Sequence, residues 1–440
     1  MKPIPQRALE NVKSVMLTLL VVMSISLSVI EWNGTPGEVS VGSSHFFSSP
    51  LYGHERLMTD FINPNAIWIW TKGNELFRLG GKTATAKQIL SQLQSAQIHT
   101  QGFVHNSPVT LPPAHGAYLA LDYGTRLSDG SIWSYALPIA NKTEHLSAQG
   151  GSLYLVQGPK SNVWSLEFQT AQGIYQMQLS HVSSNLKDAL IPNNQSVPYA
   201  QLPFENQVFN LPYDAVSMLT QTWILASPLP IPIINSFFRD PSLVQTVQMS
   251  RNETAYTDGT HTVQLTRHSM GFKLSYNAPE VLLKHYHVSV REALSAAIPF
   301  VDSHGGFVGQ VVLQQVNTTS GTGNVQLQFG DELNGWPVFS QLNQIQLDLI
   351  NGSVTKMQRL LPYLQSEVAQ ERVTILSGAK LLQIIKSMHV QGVQSIMLGY
   401  GSTLQTLNEV QLVPVYQVVA NNRVIYLDAQ TGQPFQGMGM

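Results

Sequence analysis

Residues 345–360 read IQLDLI-NG-SVTKMQRL, two alternating runs on either side of Asn351-Gly352. Alternation of apolar and polar residues is the two-residue period of a half-buried strand. Asn-Gly supplies the positive-φ positions of a type I′ turn, whose twist matches the strands it joins. The stretch is therefore a β-hairpin, and it sets the fold, because an antiparallel sheet with one buried face needs a layer to cover it. Upstream, Ser289 with Glu292 three residues on forms a capping-box pattern that opens a helix through Ala297. Strands follow at 309–316 and 325–329. Downstream the order recurs: a helix over 379–388, strands near 395–398 and 410–419, the turn pair Asn421-Asn422, and a strand over 423–427. Trp336-Pro337-Val338 in the first unit answers Val413-Pro414-Val415 in the second. Residues 288–435 thus read as a tandem of two degenerate helix-plus-antiparallel-sheet units.

Toward the N-terminus, AIWIW at 66–70 is a strand, and Thr83 caps a helix whose Ile89, Leu90 and Leu93 share a face. Runs such as SLYLVQ and GIYQMQL alternate with turn clusters. Residues 57–210 read as an α+β domain ending in the proline-rich stretch 192–212. Residues 211–287 form a middle domain. There 214–226 reads as a helix broken by Pro228-Leu229-Pro230-Ile231-Pro232, with strands at 263–265 and 272–276 and a turn at Tyr256-Thr257-Asp258-Gly259.

The segment from Ser14 to Ile30, SVMLTLLVVMSISLSVI, holds no charge, proline or glycine. As a helix it spans roughly 26 Å, close to the ~30 Å of a bilayer core. Lys13 at one end and Glu31 with Trp32 at the other suit the two interfaces, so 14–32 reads as a transmembrane helix. Lys2, Arg7 and Lys13 outnumber Glu10, which puts 1–13 in the cytoplasm as a tail and the bulk of the chain outside. The Gly, Ser and Pro-rich residues 33–56 read as a stalk. A cleaved export signal has the same anatomy, but no A-x-A site follows, and an uncleaved anchor is expected. Ser14, Thr18, Ser24 and Ser28 fall near one helical face, where small hydroxyl residues let a partner helix approach; such residues equally well bond their own preceding turn. The fold class is α+β: an N-terminal transmembrane helix followed by mixed antiparallel-sheet domains.

Of 440 residues, 43% are hydrophobic and only 11% charged, so the surface must be covered by Gln, Asn, Ser and Thr. A net charge of -2 gives no electrostatic case for nucleic acid. The absence of cysteine excludes disulfides, thiolate metal sites and a cysteine nucleophile, and suits a bacterial envelope. The chain contains no H-E-x-x-H, G-x-S-x-G, P-loop or G-x-G-x-x-G. Ser377-Gly378-Ala379-Lys380 matches S-x-x-K but lacks the S-x-N and K-T-G elements that complete that site, and Ser377 fits better as a helix cap. Ser353 and Lys356 repeat the spacing on a hairpin strand and fail likewise. A metal site can be drawn from His285 and His287 with Asp302 and His304, although histidines so spaced are usually surface or hydrogen-bonded residues. Trp68, Trp70, Trp133, Trp164 and Trp336 stand singly in strand-like runs, where packing is the default. No catalytic residue, metal or cofactor is expected.

Several short motifs run in order along the chain: Glu10-Asn11-Val12-Lys13-Ser14 with Leu17-Thr18-Leu19, then Trp32 and Pro36, Tyr256-Thr257-Asp258-Gly259, Asn334-Gly335-Trp336-Pro337-Val338-Phe339, Leu398-Gly399-Tyr400, and Pro414-Val415-Tyr416 through Gly432. In these the chain resembles the YycH family, membrane-anchored extracytoplasmic regulators associated with the sensor kinase WalK (YycG) of low-GC Gram-positive bacteria. The Asn334–Phe339 element is similar to the N-G-x-P-V-F element that YycH shares with YycI. Residues 80–210 carry none of these motifs. The resemblance implies no catalysis, a YycI-like C-terminal part, and partners in the membrane: the sensor histidine kinase and a YycI-like protein, contacted through the transmembrane helix, with an effect on cell-wall metabolism. A rival reading is an envelope scaffold or ligand-binding protein not linked to a kinase.

Overall fold

The computed structural model describes Met16, Leu17, Leu20, Val21, Met23 and Ser24, and residues 52–437 apart from 54, 94, 105–110, 114–115, 125–129, 138, 140–150, 159–162, 279–286 and 320–322. Three antiparallel sheets dominate the described residues, with few helices, consistent with an α+β fold that is mostly β. No helix among the described residues is long and apolar enough to cross a membrane, and most of the predicted 14–32 segment lies outside them.

The first sheet has nine strands in the order Gln97–Phe103, Gly173–Ser180, Trp164–Thr170, Ser152–Gln157, Tyr118–Asp122, Ala66–Trp70, Leu76–Gly80, Val197–Phe204 and Gln207–Pro212. AIWIW forms its centre. Ile67 and Ile69 point into the core while Trp68 and Trp70 are half-exposed on the other face, as the period of two requires. The helix Ala84–Gln92 starts where expected, the Thr83 hydroxyl accepting from the Ala86 N–H at 3.2 Å.

The third sheet runs Gln245–Ser250, Glu253–Thr257, Thr262–His268, Gly271–Asn277, Ser353–Leu360, Ile345–Ile350, Asn324–Leu333 and Val311–Thr319, with Trp336–Pro337 beside Asn324–Leu333. The 345–360 hairpin sits inside it, and φ of 51° at Asn351 and 78° at Gly352 make the turn. The helix Val290–Ser303 covers this sheet. Its capping box is complete, and Val290, Ala293, Leu294, Ala297, Ile298 and Val301 form the buried stripe. A cluster of Phe61, Phe307 and Phe329, with ring centroids 4.6–5.2 Å apart, joins the first and third sheets into one core.

The second sheet runs Tyr363–Ile375, Val216–Ala226, Glu409–Ala420 and Val393–Thr406, with Arg423–Asp428 beside the second half of Glu409–Ala420. Pro414 lies in the gap where Glu409–Ala420 has left its partner Val216–Ala226 and not yet met Arg423–Asp428, so its missing N–H costs the ladder nothing. The helix Gly378–Ser387 packs Leu381, Leu382 and Ile385 on this sheet. Ser377 holds the cap position, but its side chain makes no cap hydrogen bond.

Two expectations are corrected. Residues 214–226 are not helical: Val216–Ala226 is a strand hydrogen-bonded along its length to Tyr363–Ile375 and, at Gln221–Ile224, to Glu409–Leu412. Its β-branched and aromatic residues Val216, Thr220, Thr222, Trp223 and Ile224 suit that position. The prolines behind it open the helix Pro230–Ser236, with Pro230 in the first turn where no N–H is needed. Trp336-Pro337-Val338 and Val413-Pro414-Val415 also occupy different places: Trp336–Pro337 is a short strand just after the Asn334-Gly335 turn, whereas 413–415 lie inside the long strand Glu409–Ala420. Among the described residues of 211–287, Val216–Ala226 enters the second sheet and the strands from Gln245 to Asn277 the third.

Candidate functional site

The sequence Asn334-Gly335-Trp336-Pro337-Val338-Phe339 leaves the third sheet and touches both others. Asn334 and Gly335, with φ of 54° and 78°, reverse the chain so that Trp336 pairs back with Leu333. Gly335 lies against Gly80 at the end of the strand Leu76–Gly80 in the first sheet, so close that a Cβ on either would stand 2.8 Å from the other's Cα. Only residues without a side chain permit that approach.

Arg78, two residues before Gly80 in the strand LFRLG, is 8% exposed. Its Nη2 donates to the Gly335 carbonyl at 2.9 Å, and its guanidinium centre lies 3.6 Å from the centroid of the Trp336 ring. Burial pulls the Arg78 guanidinium below its ordinary value, against the neighbouring Tyr199, Glu332 and Asp122, which favour the charge. The same burial pushes Tyr199 up to about 12, with Arg78 opposing it.

On its other side the hexapeptide grips the second sheet. The Phe339 N–H donates to the Tyr400 carbonyl at 2.7 Å, and the hydroxyls of Ser340 and Ser402 meet at 2.8 Å. A Cβ on Gly399 would stand 2.4 Å from the Pro337 carbonyl oxygen, so this contact too requires glycine. Burial pushes the Tyr400 hydroxyl up to about 12, although the Asn334 side chain and the Leu219 backbone hydrogen-bond it. Two of the motifs noted in the sequence, Asn334–Phe339 and Leu398-Gly399-Tyr400, thus meet in space, and the first is a clasp on all three sheets.

Beside the clasp opens a cavity of about 430 Å³. The first sheet contributes Trp68, Asp122 and Tyr199, the third contributes Gln314, Gln328 and Glu332, and the second contributes Met397, Gln417 and Tyr426. Its aromatic surface is ordered: Trp68 meets Tyr199 edge-on at 5.1 Å, and Phe339 meets Tyr426 at 5.9 Å. The Gln417 amide donates to the Tyr426 hydroxyl at 3.0 Å.

Of the residues singled out by sequence, Trp68 and Trp336 line this cavity. Ser14, Thr18 and Ser28 lie outside the described residues; Ser24 is helical and exposed. His285 is also outside them. His287 is exposed, whereas His304 is buried, its Nδ1 bonded to the Ser236 hydroxyl at 2.8 Å and its ring stacked 3.9 Å from Phe237. Burial pushes His304 down to about 3, so it is neutral. Asp302 is half-buried, and burial pushes it up to about 6. No group of three metal-ligating side chains occurs among the described residues. Lys380 is exposed beside Ser377, and Trp164 is a core residue at 1% exposure. No motif marks Arg78, although a single arginine in an otherwise apolar strand is a signal that the charge has a buried partner.

Comparison with known proteins gives a consistent result. Residues 206–432 match the model of the YycH protein, C-terminal domain, and residues 10–172 match that of the YycH protein, N-terminal domain, extending the likeness well into the region without recognisable motifs. No curated protein matches the chain. The crystal structure of YycH from Bacillus subtilis is similar in fold, with a TM-score of 0.66 at 14% identity over 86% of this chain and 98% of that one. An uncharacterized protein from Eubacterium rectale matches at 10% identity and a TM-score of 0.38, covering 54% of this chain and 93% of that one.

Proposed function

The chain belongs to the YycH family, and from that premise we propose that it is a non-enzymatic, membrane-anchored extracytoplasmic regulator of a two-component sensor histidine kinase of the WalK (YycG) type, with a YycI-like protein as second partner. The observation that carries this reading is that the family match begins at residue 10, runs through the apolar segment, and takes up the C-terminal half. In this reading 14–32 is the anchor, 1–13 is cytoplasmic, and the sheets stand outside the cell acting on wall metabolism through the kinase. The order of helix then antiparallel meander, met at Val290–Ser303 and again at Gly378–Ser387, supports two degenerate copies in the C-terminal part.

In this reading influence on the kinase passes through helix contacts in the bilayer or through the sheets outside. Regulation then requires unequal binding to the kinase's two signalling states. Ser14, Thr18, Ser24 and Ser28 supply part of the helix contact. Copurification from native membranes tests the reading: a histidine kinase should be recovered with the chain, and replacing the four residues by leucine should reduce its recovery while the chain stays in the membrane. Recovery of wall-synthesis proteins without any kinase would favour the scaffold reading instead.

A further inference from the structure

We propose that the cavity beside the clasp binds a neutral saccharide, one or two pyranose rings of an oligosaccharide. The proposal goes beyond kinase regulation and does not depend on it. At about 430 Å³ the cavity is of small-molecule size, within the ~300–1,000 Å³ usual for such sites.

Three features of the lining select the ligand. Trp68 of the first sheet, Phe339 of the clasp and Tyr426 of the second sheet line the cavity with aromatic rings, and the C–H faces of a pyranose ring pack on such surface. Amides supply the polar contacts. Gln328, Gln341 and Gln344 line the cavity and their side chains have no hydrogen-bond partner among the described residues, so donors and acceptors face the cavity together. Gln417 is held in place by Tyr426, which leaves its carbonyl oxygen as a fixed acceptor.

The third feature is charge. Arg78, Asp122 and Glu332 are the charged residues of the lining, one cation against two anions. The guanidinium is occupied by the Gly335 carbonyl and the Trp336 ring. An anionic ligand would therefore meet a net negative wall with its cation already engaged, whereas sugar hydroxyls can donate to the carboxylates.

The test uses the full chain in phosphatidylcholine nanodiscs, which carry no sugar headgroup, with triacetylchitotriose, cellotriose and trigalacturonate as probes. Titration calorimetry should show saturable binding of a neutral trisaccharide and at least about tenfold weaker binding of trigalacturonate, a gap of ~1.4 kcal/mol. Gln328→Leu and Gln344→Leu keep side-chain volume at half-exposed positions and should each weaken neutral binding about tenfold with an unchanged melting temperature. Absence of saturable binding of both neutral sugars at millimolar concentration would overturn the proposal, as would equal or tighter binding of trigalacturonate, or unaltered affinity in both glutamine variants. Kinase recovery from membranes is measured without any sugar, so either reading can fail while the other stands.

Discussion

Gly80 and Gly335, 255 positions apart in the chain, touch backbone to backbone where the first sheet meets the clasp. Gly335→Ala would place its methyl 2.8 Å from the Gly80 Cα while holding φ at 78°, so neither a rotamer change nor a small shift relieves it. Denaturant unfolding of Gly335→Ala should show a loss of about 2–4 kcal/mol, and Gly80→Ala a loss of similar size.

Arg78 is held by its shape as much as by its charge. Lysine carries the charge but offers no planar face to Trp336 and no fork for the carbonyls. Arg78→Gln should lower stability by about 3 kcal/mol, because the buried carboxylate of Glu332 then loses a neighbouring cation. Arg78→Lys should recover less than half of that, as read by thermal melting.

Arg359 presents the opposite case. It is 1% exposed on the strand Ser353–Leu360, and none of its three guanidinium nitrogens has a hydrogen-bond partner among the described residues. Burial pushes it down to about 10. Arg359→Met keeps most of the volume and removes the desolvated charge, so it should raise the unfolding free energy by about 1–3 kcal/mol. A destabilised Arg359→Met chain would show that the guanidinium has a favourable role in the core.

Asp331 gives a pH signature. Burial pushes its carboxyl up to about 7, against the Asn343 amide bonded to it at 2.9 Å and the more distant Lys82 and Arg56. A folded pKa above the unfolded value means that the stabilisation is complete below about pH 4 and is lost as pH rises through about 7. His304, pushed down to about 3, works in the other direction, losing stability as pH falls from about 6.5. The two are separated by comparing Asp331→Asn with the parent. Between pH 4 and 8 the variant should gain relative stability as pH rises, by at most about 4 kcal/mol.

Local signals were legible in the sequence. The 345–360 hairpin, the Ser289/Glu292 capping box and the Thr83 cap depend on neighbours within a few residues, and each forms as expected. Val216–Ala226 was not legible, since its partners lie far along the chain and its apolar pattern fits either period. The cavity was hidden for the same reason. Trp68, Arg78, Gln328, Trp336 and Gln417 carry no common spacing, and only the packing of three sheets collects them. The glycines at 80, 335 and 399 were the available clue, since each marks a place where another backbone must pass.

The interleaving of the second and third sheets also dictates an order of assembly. Val216–Ala226 is synthesised before the third sheet, yet both of its neighbours, Tyr363–Ile375 and Glu409–Ala420, come after it. A nascent chain therefore carries this strand with one edge bare until Tyr363–Ile375 emerges and the other until Glu409–Ala420 follows, and long-range pairing of this kind closes late. Premature termination before Glu409 leaves Val216–Ala226 with its edge open at Gln221–Ile224, a template for aggregation that only pairing with Glu409–Ala420 removes.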